Sequence, residues 1–443
     1  MMSLSIKKYF EEAKKNGIEP YQVSYSTSTE ASVEVHNGNV EVQQIGTTQD
    51  ISAKGIHDGK QGSFSTDCID KYTPSMMAEN VLQSSLYGKE EKAEDYFHGG
   101  LKYRKTKPGK ITTFKPSTLK ELRDFALAVY EDVKAKDDRL TKITVAVSMQ
   151  TAMSQKFNSY GVKCKDTASY YVCSISVVAE NDKKEPRSGY KGCHSFYSLE
   201  DLKEKTKEII PDVISSAIDF FGSSAMKTKK YKVLLSRNSV SSLLAYFLGQ
   251  LNAKNVQQHL SLFEGKMDTQ IVSKSLTMKN IPYAMSLGAS NYDADGYPTK
   301  EFTFIRNGVL KDYFYSVETA NKDHRDSNGC CSGNGNGGPI VVSVKPGKYD
   351  LDALFEKVRN GLYITSVSGL NSGINSQTLD FSLPCEGYVI KDGKKDKAFS
   401  MMVVAGNLSE VFNSVLAIGN DVDEANGRFI PSMIIKSLTV SGK

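Results

Sequence analysis

The 443-residue chain lacks a run of about 18 apolar residues, which a membrane-spanning helix requires. Residues 1–17 are charged and amphipathic, without the apolar core of a signal peptide. The seven cysteines include no Cys-x-x-Cys pair, and an odd number of thiols does not suit a disulfide framework. We therefore expect a cytoplasmic protein with reduced thiols and no membrane partner.

Histidine is also scarce, and no two of the six lie within ten residues of each other. A zinc site on one helix needs two histidines about one turn apart, so that both imidazoles reach the ion. The sequence therefore predicts no local zinc site, although a site built from distant residues stays open. His259 and Glu264 form the one histidine–carboxylate pair near a predicted helix, and we interpret them as structural.

No Gly-x-Ser-x-Gly segment occurs, which excludes the nucleophile elbow of an α/β-hydrolase. Gly333, Gly335 and Gly338 satisfy the Gly-x-Gly-x-x-Gly pattern of nucleotide-binding loops. That pattern needs a helix after it, whereas Pro339 and a β-rich run follow here. We therefore predict a flexible loop at residues 329–338 with no role in phosphate binding.

Cys330 and Cys331 stand side by side in this predicted loop. A catalytic cysteine needs a histidine base and a lowered pKa. His324 is near in sequence, but nothing in the pattern fixes it against either thiol. We interpret the pair as reduced thiols in a mobile loop.

The formal net charge is only +5, and basic residues are interleaved with acidic ones, which argues against direct nucleic-acid binding. Asp293 and Asp295 begin a segment that resembles part of a calcium-binding EF-hand loop. The position that should carry the last glutamate ligand is Phe304. We therefore interpret these aspartates as turn residues.

Composition is that of an ordinary globular protein, with 39% hydrophobic and 24% charged residues, and the length predicts more than one domain. In the first half, periodicity predicts helices at 5–15, 74–86, 117–136 and 199–221. Between the first two helices it predicts a meander of about four strands. Segments with strand character are 21–25, 31–35, 39–44, 51–56, 62–66, 142–149, 155–158 and 168–179.

The second half is predicted to open with a strand at 231–235 and a helix from Asn238 or Ser239 to about Ala253. A hairpin at 299–315, a helix at 350–359 and alternating strands from residue 362 follow. The expected fold is α+β, with two domains of mostly antiparallel sheets flanked by helices. We place the boundary between residues 1–225 and 226–443.

Several segments, in a shared order, resemble the TldD/PmbA family, whose members are also called modulators of DNA gyrase. Those in the middle of the chain are Asn291–Lys300, Ile305–Tyr313 and Glu318–Asn321, and 361–364, 376–381 and 386–393 follow. Ile418–Asp421 and Pro431–Gly442 are similar to the PmbA (TldE) branch in particular. The resemblance covers most of the chain.

This resemblance implies a zinc metallopeptidase made of two related subunits. The catalytic subunit carries His-Glu-x-x-x-His on a helix and a cysteine near the C-terminus. In this chain the two histidine positions fall on Ala245 and Gln250, and the general-base position falls on Tyr246. Residues 427–431 contain no cysteine. The resemblance thus implies no catalytic residue and no metal here, with zinc in a TldD-like partner.

The expected function is that of a metal-free subunit of a zinc metalloprotease complex that processes or degrades unfolded peptides. The expected partner is a TldD-like zinc-bearing paralogue in a heterodimer, or a second copy in a homodimer. Two alternatives stay open: a homodimeric peptide-binding or regulatory module without hydrolytic activity, and an independent enzyme that uses Cys330 or Cys331. The candidate residues for one wall of a peptide cleft are Asn291, Asp293, Asp295, Gly296, Gly333 and Gly335.

Overall fold

A computed structural model describes residues 5–425 and 427–442, and the chain divides between Phe221 and Gly222 into two units. Both units combine helices with mainly antiparallel sheets, so the predicted α+β class is confirmed. Within the described ranges, no helix has the length and apolarity needed to cross a membrane.

The first unit consists of six strands and five helices, with a short 3₁₀ turn at Ala93–Asp95. The strands are β1 Tyr21–His36, β2 Asn39–His57, β3 Lys60–Thr66, β4 Leu140–Asn158, β5 Lys163–Glu180 and β6 Pro186–Ser195. The helices are α1 Ile6–Lys15, α2 Thr73–Ser85, α3 Lys107–Lys110, α4 Leu119–Lys134 and α5 Leu199–Ile218.

All six strands pair antiparallel in one sheet of order β3-β2-β1-β4-β5-β6. Alternate residues of each strand point to one face, and α4 and α5 cover that face over the strands β1, β4, β5 and β6. Val33, Val145 and Ile175 are among the fully buried side chains there. The opposite face carries mainly polar residues, as an antiparallel sheet with one covered side allows.

The predicted helices of this unit lie within a few residues of their observed bounds, but the strand prediction was wrong in number and length. The predicted segments 21–25 and 31–35 belong to β1 alone, and β2 and β4 each unite two others. In β1, residues 26–30 separate the predicted segments 21–25 and 31–35, and they are polar and largely uncovered. The alternation of apolar and polar residues is therefore lost there, while the hydrogen-bonded ladder continues. The polar strand β6 was not predicted.

In the second unit, residues 222–425 and 427–442 form the remaining strands and six helices. The helices are α6 Arg237–Gly249, α7 Ala253–Gln257, α8 Val317–Lys322, α9 Leu351–Val358, α10 Leu370–Gly373 and α11 Leu408–Asn413. The strands are β7 Lys229–Leu235, β8 Met278–Asn280, β9 Phe302–Arg306, β10 Val309–Leu310, β11 Cys331–Gly333, β12 Asn336–Gly337, β13 Val342–Val344, β14 Gly361–Val367, β15 Asp380–Lys391, β16 Lys394–Asn407, β17 Val415–Ile418, β18 Glu424–Ala425, β19 Arg428–Phe429 and β20 Met433–Ser441.

The larger strands of this unit form a sheet of order β16-β15-β14-β7-β20-β17, and β16 also pairs with β20. That extra pairing closes five of the strands into a ring. A second sheet has the order β10-β9-β8-β13-β19-β18. Among the described strands of this unit, β13–β19 and β14–β7 are the parallel pairs. Apolar side chains of both sheets and of α6 form one continuous core.

Three predictions for this half were wrong. The helices α10 and α11 interrupt the alternating strands that were predicted from residue 362. Residues 331–337 form a small hairpin of β11 and β12, where we expected a flexible loop. Local composition favoured a loop, but contacts with the rest of the unit order the segment. The helix predicted to reach Ala253 ends at Gly249, and α7 then begins as a separate turn.

Candidate functional site

Helix α6 supplies the wall of the candidate site. Its N-cap Ser236 accepts a hydrogen bond from the backbone N–H of Ser239 at 3.2 Å, which fixes the first turn. The apolar face is buried in the core and consists of Val240, Leu243, Leu244, Phe247 and Leu248. The opposite face stays half-exposed because its residues are small or polar.

Beside that half-exposed face lies a cavity of about 400 Å³. Its volume falls within the range of small-molecule and peptide pockets, about 300–1,000 Å³. None of the eight lining residues is acidic, basic, a histidine or a cysteine. They are Ala245, Tyr246, Gly249, Gln250, Asn255, Leu260, Ser376 and Gln377.

Gln250, the C-cap of α6, is buried to 2% exposure and joins three segments. Its amide Nε2 donates to the carbonyl of Ser376, and its Oε1 accepts from the backbone N–H of Leu262 at 2.7 Å. Its own carbonyl accepts from the hydroxyl of Ser261 at 2.6 Å. Both ends of the side-chain amide are therefore engaged in holding the cavity floor together.

Two further polar groups border the cavity. The hydroxyl of Tyr246 donates to Oδ1 of Asn371 at 3.2 Å, and Nδ2 of Asn255 donates to the carbonyl of Gly249 at 3.0 Å. Amides and hydroxyls can accept and donate hydrogen bonds to a neutral ligand. They supply neither a nucleophile with a base nor a group that titrates near neutral pH. The polar groups of the cavity lining are therefore hydrogen-bond donors and acceptors for a neutral ligand.

The three positions that the resemblance aligns with a zinc motif do line this cavity, yet they do not fit the metal. Ala245 offers a methyl group, and both amide atoms of Gln250 are already bonded to the backbone. Tyr246 presents a phenol bonded to a neighbouring amide. Within residues 5–425 and 427–442, no three histidine, cysteine, aspartate or glutamate side chains are grouped to hold a metal ion.

The aspartate loop, which we define as residues 291–299, is built differently. The carboxylate of Asp293 accepts from the backbone N–H groups of Asp295 and Tyr297 at 3.0 and 2.9 Å, and from that of Cys331 at 2.9 Å. Oδ2 of Asp295 accepts from the backbone N–H of Val317, the first residue of α8, at 2.9 Å. These carboxylates tie the loop to the β11–β12 hairpin and to α8.

Four of the predicted cleft residues, Asn291, Asp293, Asp295 and Gly296, are buried in this loop. The structure brings them next to the hairpin that carries the other two, since Ala294 N–H donates to the carbonyl of Cys331. Their assignment to a peptide cleft stays a prediction, but the side chains of Asn291, Asp293 and Asp295 point into the protein.

Steric constraints explain why a glycine occupies position 335 of the hairpin. Gly335 has φ +72°, and a Cβ there would lie 2.0 Å from Oε2 of Glu318. Lys254, at the start of α7, donates to the carbonyl of Asn334 at 2.6 Å, and Asn252 accepts from the N–H of Gly337 at 2.8 Å. The hairpin is thereby attached to the segment that leads into the cavity wall.

Cys330 and Cys331 are free thiols, as interpreted, but the structure buries them at the β11–β12 hairpin, where we expected a mobile loop. Their exposed fractions are 0% and 2%, and burial raises the pKa of both thiols well above the ordinary value. Charge repulsion from Asp293 and Asp312 raises the pKa of Cys330 further, and repulsion from Asp295 and Asp293 does the same for Cys331. Burial and the raised pKa both disfavour the thiolate, which is the nucleophilic form of cysteine.

His259 and Glu264 form the predicted pair, with Nδ1 and Oε1 2.8 Å apart, on the surface next to Leu260 of the cavity. The histidine side chain is 78% exposed. Sequence reasoning missed Asn255, Leu260, Ser376 and Gln377, because they come from two segments more than a hundred residues apart with no spacing signal.

Comparison with known proteins assigns the chain. Residues 228–442 match the C-terminal domain of PmbA/TldA metallopeptidases, and residues 113–219 match the central domain of the same family. The chain belongs to the PmbA/TldD metallopeptidase family. The family suggested by the sequence segments is therefore confirmed.

Relatives in this family extend over the whole chain. An uncharacterized protein of Methanocaldococcus jannaschii is 26% identical, covering 98% of this chain and 99% of its own length. The metalloprotease PmbA of Escherichia coli O157:H7 is 20% identical, covering 95% and 92%. Both matches span nearly the whole length of this chain and of the matched protein.

Solved structures agree. The crystal structure of a Thermotoga maritima protein, a candidate modulator of a DNA gyrase, is 27% identical with a TM-score of 0.85, covering 98% of this chain and 99% of that one. TldE from Thermococcus kodakarensis is 15% identical with a TM-score of 0.84, covering 99% and 100%, and at that identity it shows the PmbA/TldD fold alone.

Proposed function

We propose that this chain is the metal-free subunit of a TldD/TldE-type zinc metalloprotease complex, and that it holds unfolded peptides for a zinc-bearing partner subunit. One observation carries the proposal. The positions aligned with the zinc motif, Ala245, Tyr246 and Gln250, line an open cavity whose eight residues are all uncharged. The cavity thus offers space for a ligand at the positions that align with the zinc ligands and general base of the family motif.

The lining suits a peptide main chain. Amide and hydroxyl groups on Gln377, Asn255 and Ser376 match backbone N–H and C=O groups of any sequence. Leu260 and Ala245 add apolar contact without selecting a charge. A complex that processes varied unfolded chains needs such sequence-tolerant binding.

The aspartate loop and the β11–β12 hairpin, which the sequence predicted as one wall of a peptide cleft, would form a second binding surface. The hairpin of β11 and β12 exposes Ser332, Asn334 and Asn336, and Lys254 and Asn252 join it to the segment before the cavity. Because the Asp293 and Asp295 side chains are buried, this part would contact a peptide through backbone groups and the exposed hairpin side chains. We also propose a cytoplasmic location, which the free thiols of Cys330 and Cys331 support.

Metal analysis and a peptidase assay test the proposal. The purified chain should contain less than about 0.1 equivalents of zinc and should not hydrolyse an unfolded protein substrate, since it lacks ligands for the ion. Mixing it with a zinc-motif paralogue from the same organism should produce hydrolysis faster than the paralogue alone. Stoichiometric zinc in the isolated chain would overturn the metal-free role. A stable homodimer that binds peptide, with no turnover even in the mixture, would favour the regulatory-module alternative.

A cavity-filling variant tests where the peptide binds. Ala245→Trp should fill the space beside α6 and weaken peptide binding by at least about tenfold, measured by fluorescence anisotropy with the full chain. Leu416→Trp is the matched control, because Leu416 is 55% exposed on β17 and does not line the cavity. Equal affinity in wild type and Ala245→Trp would remove the cavity from the binding surface.

A further inference from the structure

Arg428 lies against α6 in an unusual electrostatic setting. It begins β19, is half-buried, and its Nη1 donates to the hydroxyl of Ser241 at a long 3.5 Å. That contact is its only polar side-chain contact to another described residue. A guanidinium carries five N–H donors in a planar fork, so most of them are left for another acceptor.

The acidic residues nearest to Arg428 in sequence are engaged elsewhere. Asp423 pairs with Arg237 at 3.6 Å, and Oε1 of Glu424 accepts from the hydroxyl of Ser286 at 2.9 Å. Burial alone lowers the pKa of Arg428, without an opposing shift from a neighbouring carboxylate. The positive charge is therefore partly desolvated and not neutralised within the described part of the chain.

Arg325 of the same unit shows the usual arrangement. It is also partly buried, but its Nη1 lies 3.0 Å from Oδ1 of Asp312 and its guanidinium stacks 4.3 Å from the ring centre of Tyr315. A partly buried arginine that lacks such a partner loses hydration, and no ion pair compensates for that loss. No carboxylate in the described part of the chain pairs with Arg428 in this way.

The position of Arg428 relative to the cavity sets the size of that ligand. Ser241, Ala245 and Gly249 recur every fourth residue, so they lie on one side of α6. With a rise of about 1.5 Å per residue, Ser241 and Gly249 are about 12 Å apart along the helix. An extended peptide covers that distance with about four residues, at about 3.3 Å per residue. Arg428 is at one end of this path and the cavity at the other.

We propose that Arg428 binds the free C-terminal carboxylate of a peptide whose preceding residues run along α6 into the uncharged cavity. This rests on the proposed peptide-holding function and specifies its ligand as a peptide chain end. The two carboxylate oxygens would accept from the guanidinium fork, while neutral residues before the chain end occupy the space lined by Gln250, Asn255 and Gln377.

Two peptides test this inference. An uncharged six-residue peptide labelled at its N-terminus is prepared with a free carboxylate and with a C-terminal amide, and binding to the full chain is followed by anisotropy. Wild type should bind the free acid at least about tenfold more tightly, because a charge-assisted bidentate contact is lost in the amide. Arg428→Gln should abolish this preference and leave the affinity for the amide unchanged. Arg428→Lys, which keeps the charge but not the fork, should show a smaller preference.

The control variant is Arg306→Gln, which removes an exposed arginine from β9 and should behave as wild type. The thermal midpoint of Arg428→Gln should be unchanged or higher, since an uncompensated charge is removed. A fall of more than about 5 °C would reveal a structural partner for Arg428 and overturn the inference.

The outcomes separate the two proposals. If both peptides bind equally to wild type, or the preference persists in Arg428→Gln, the carboxylate site is overturned and the peptide-holding cavity is not. If neither peptide binds, both are overturned. If inorganic phosphate stabilises wild type but not Arg428→Gln while the peptides are not distinguished, the arginine binds a different oxyanion and the inference fails.

Discussion

The cavity beside α6 and the aspartate loop differ in where their polar atoms point. In the loop, the carboxylate of Asp293 accepts three backbone N–H groups and is only 4% exposed. Around the cavity, the amides of Asn255 and Gln377 border open space. The loop holds the more reactive chemical groups, yet the cavity is the part that can receive a ligand.

The difference shows that the chemical reactivity of a side chain and its availability to a ligand are separate properties. A buried carboxylate whose oxygens are all bonded stabilises a turn, whereas an uncharged amide beside an open volume can still change partners. Gln250 combines both behaviours, because it lines the cavity but its amide is saturated by Ser376 and Leu262. The following predictions test this comparison.

Removing the carboxylate of Asp293 should have the largest effect. Asp293→Ala leaves three buried N–H groups without an acceptor and should lower the free energy of unfolding by about 3–5 kcal/mol, measured by urea denaturation. Asp293→Asn keeps one oxygen acceptor and should cost less. A loss under about 1 kcal/mol with unchanged structure would show that the loop does not depend on this carboxylate.

Thiol labelling compares a buried segment with an exposed one. Cys68 is exposed, whereas Cys330 and Cys331 are buried with raised pKa values, so little thiolate forms at pH 8. Iodoacetamide should modify Cys68 at least about a hundredfold faster, a difference of about 2.7 kcal/mol, as followed by mass spectrometry of the native protein. Burial also raises the pKa of Cys385 to about 12, so it should be slow as well. Fast modification at Cys330 or Cys331 would revive the thiol-enzyme alternative.

At the cavity floor, Gln250→Ala should cost about 2 kcal/mol of unfolding free energy, because Leu262 N–H and the Ser376 carbonyl lose their partner. Gln250→Glu should be at least as harmful, since its carboxylate would face that carbonyl. Tyr246→Phe is the control, because it removes one contact at the rim and should cost less than about 1 kcal/mol. Denaturation of the three variants side by side would test the order, and a neutral Gln250→Ala would contradict it.

The smallest effect is expected for His259. Its pair with Glu264 is exposed, and such pairs contribute about 0–1 kcal/mol. His259→Ala should therefore change the unfolding free energy by less than about 0.5 kcal/mol at pH 6, measured in the same denaturant series. A loss above about 1.5 kcal/mol would mean that this surface pair is part of the cavity wall.

Much of the fold followed from local patterns. Amphipathic spacing located α4 and α5, and Asn37-Gly38 marked the turn between β1 and β2. The exposed middle of β1 and the polar strand β6 could not be predicted, because hydrogen bonds to neighbouring strands continue there without an apolar pattern. For the candidate site, alignment with a motif indicated Ala245, but no local signal indicated Ser376.

By itself the sequence determined the longer helices, the α+β class and the family resemblance, because periodicity and segment order are properties of the chain alone. Through the resemblance it also aligned Ala245 and Tyr246 with the positions where the family carries a histidine ligand and a general base. Only the tertiary structure decided that Asp293 is saturated, that Cys331 is buried, and that two distant segments enclose a cavity beside α6. The physical reason is that burial and hydrogen-bond saturation depend on contacts between residues far apart in sequence.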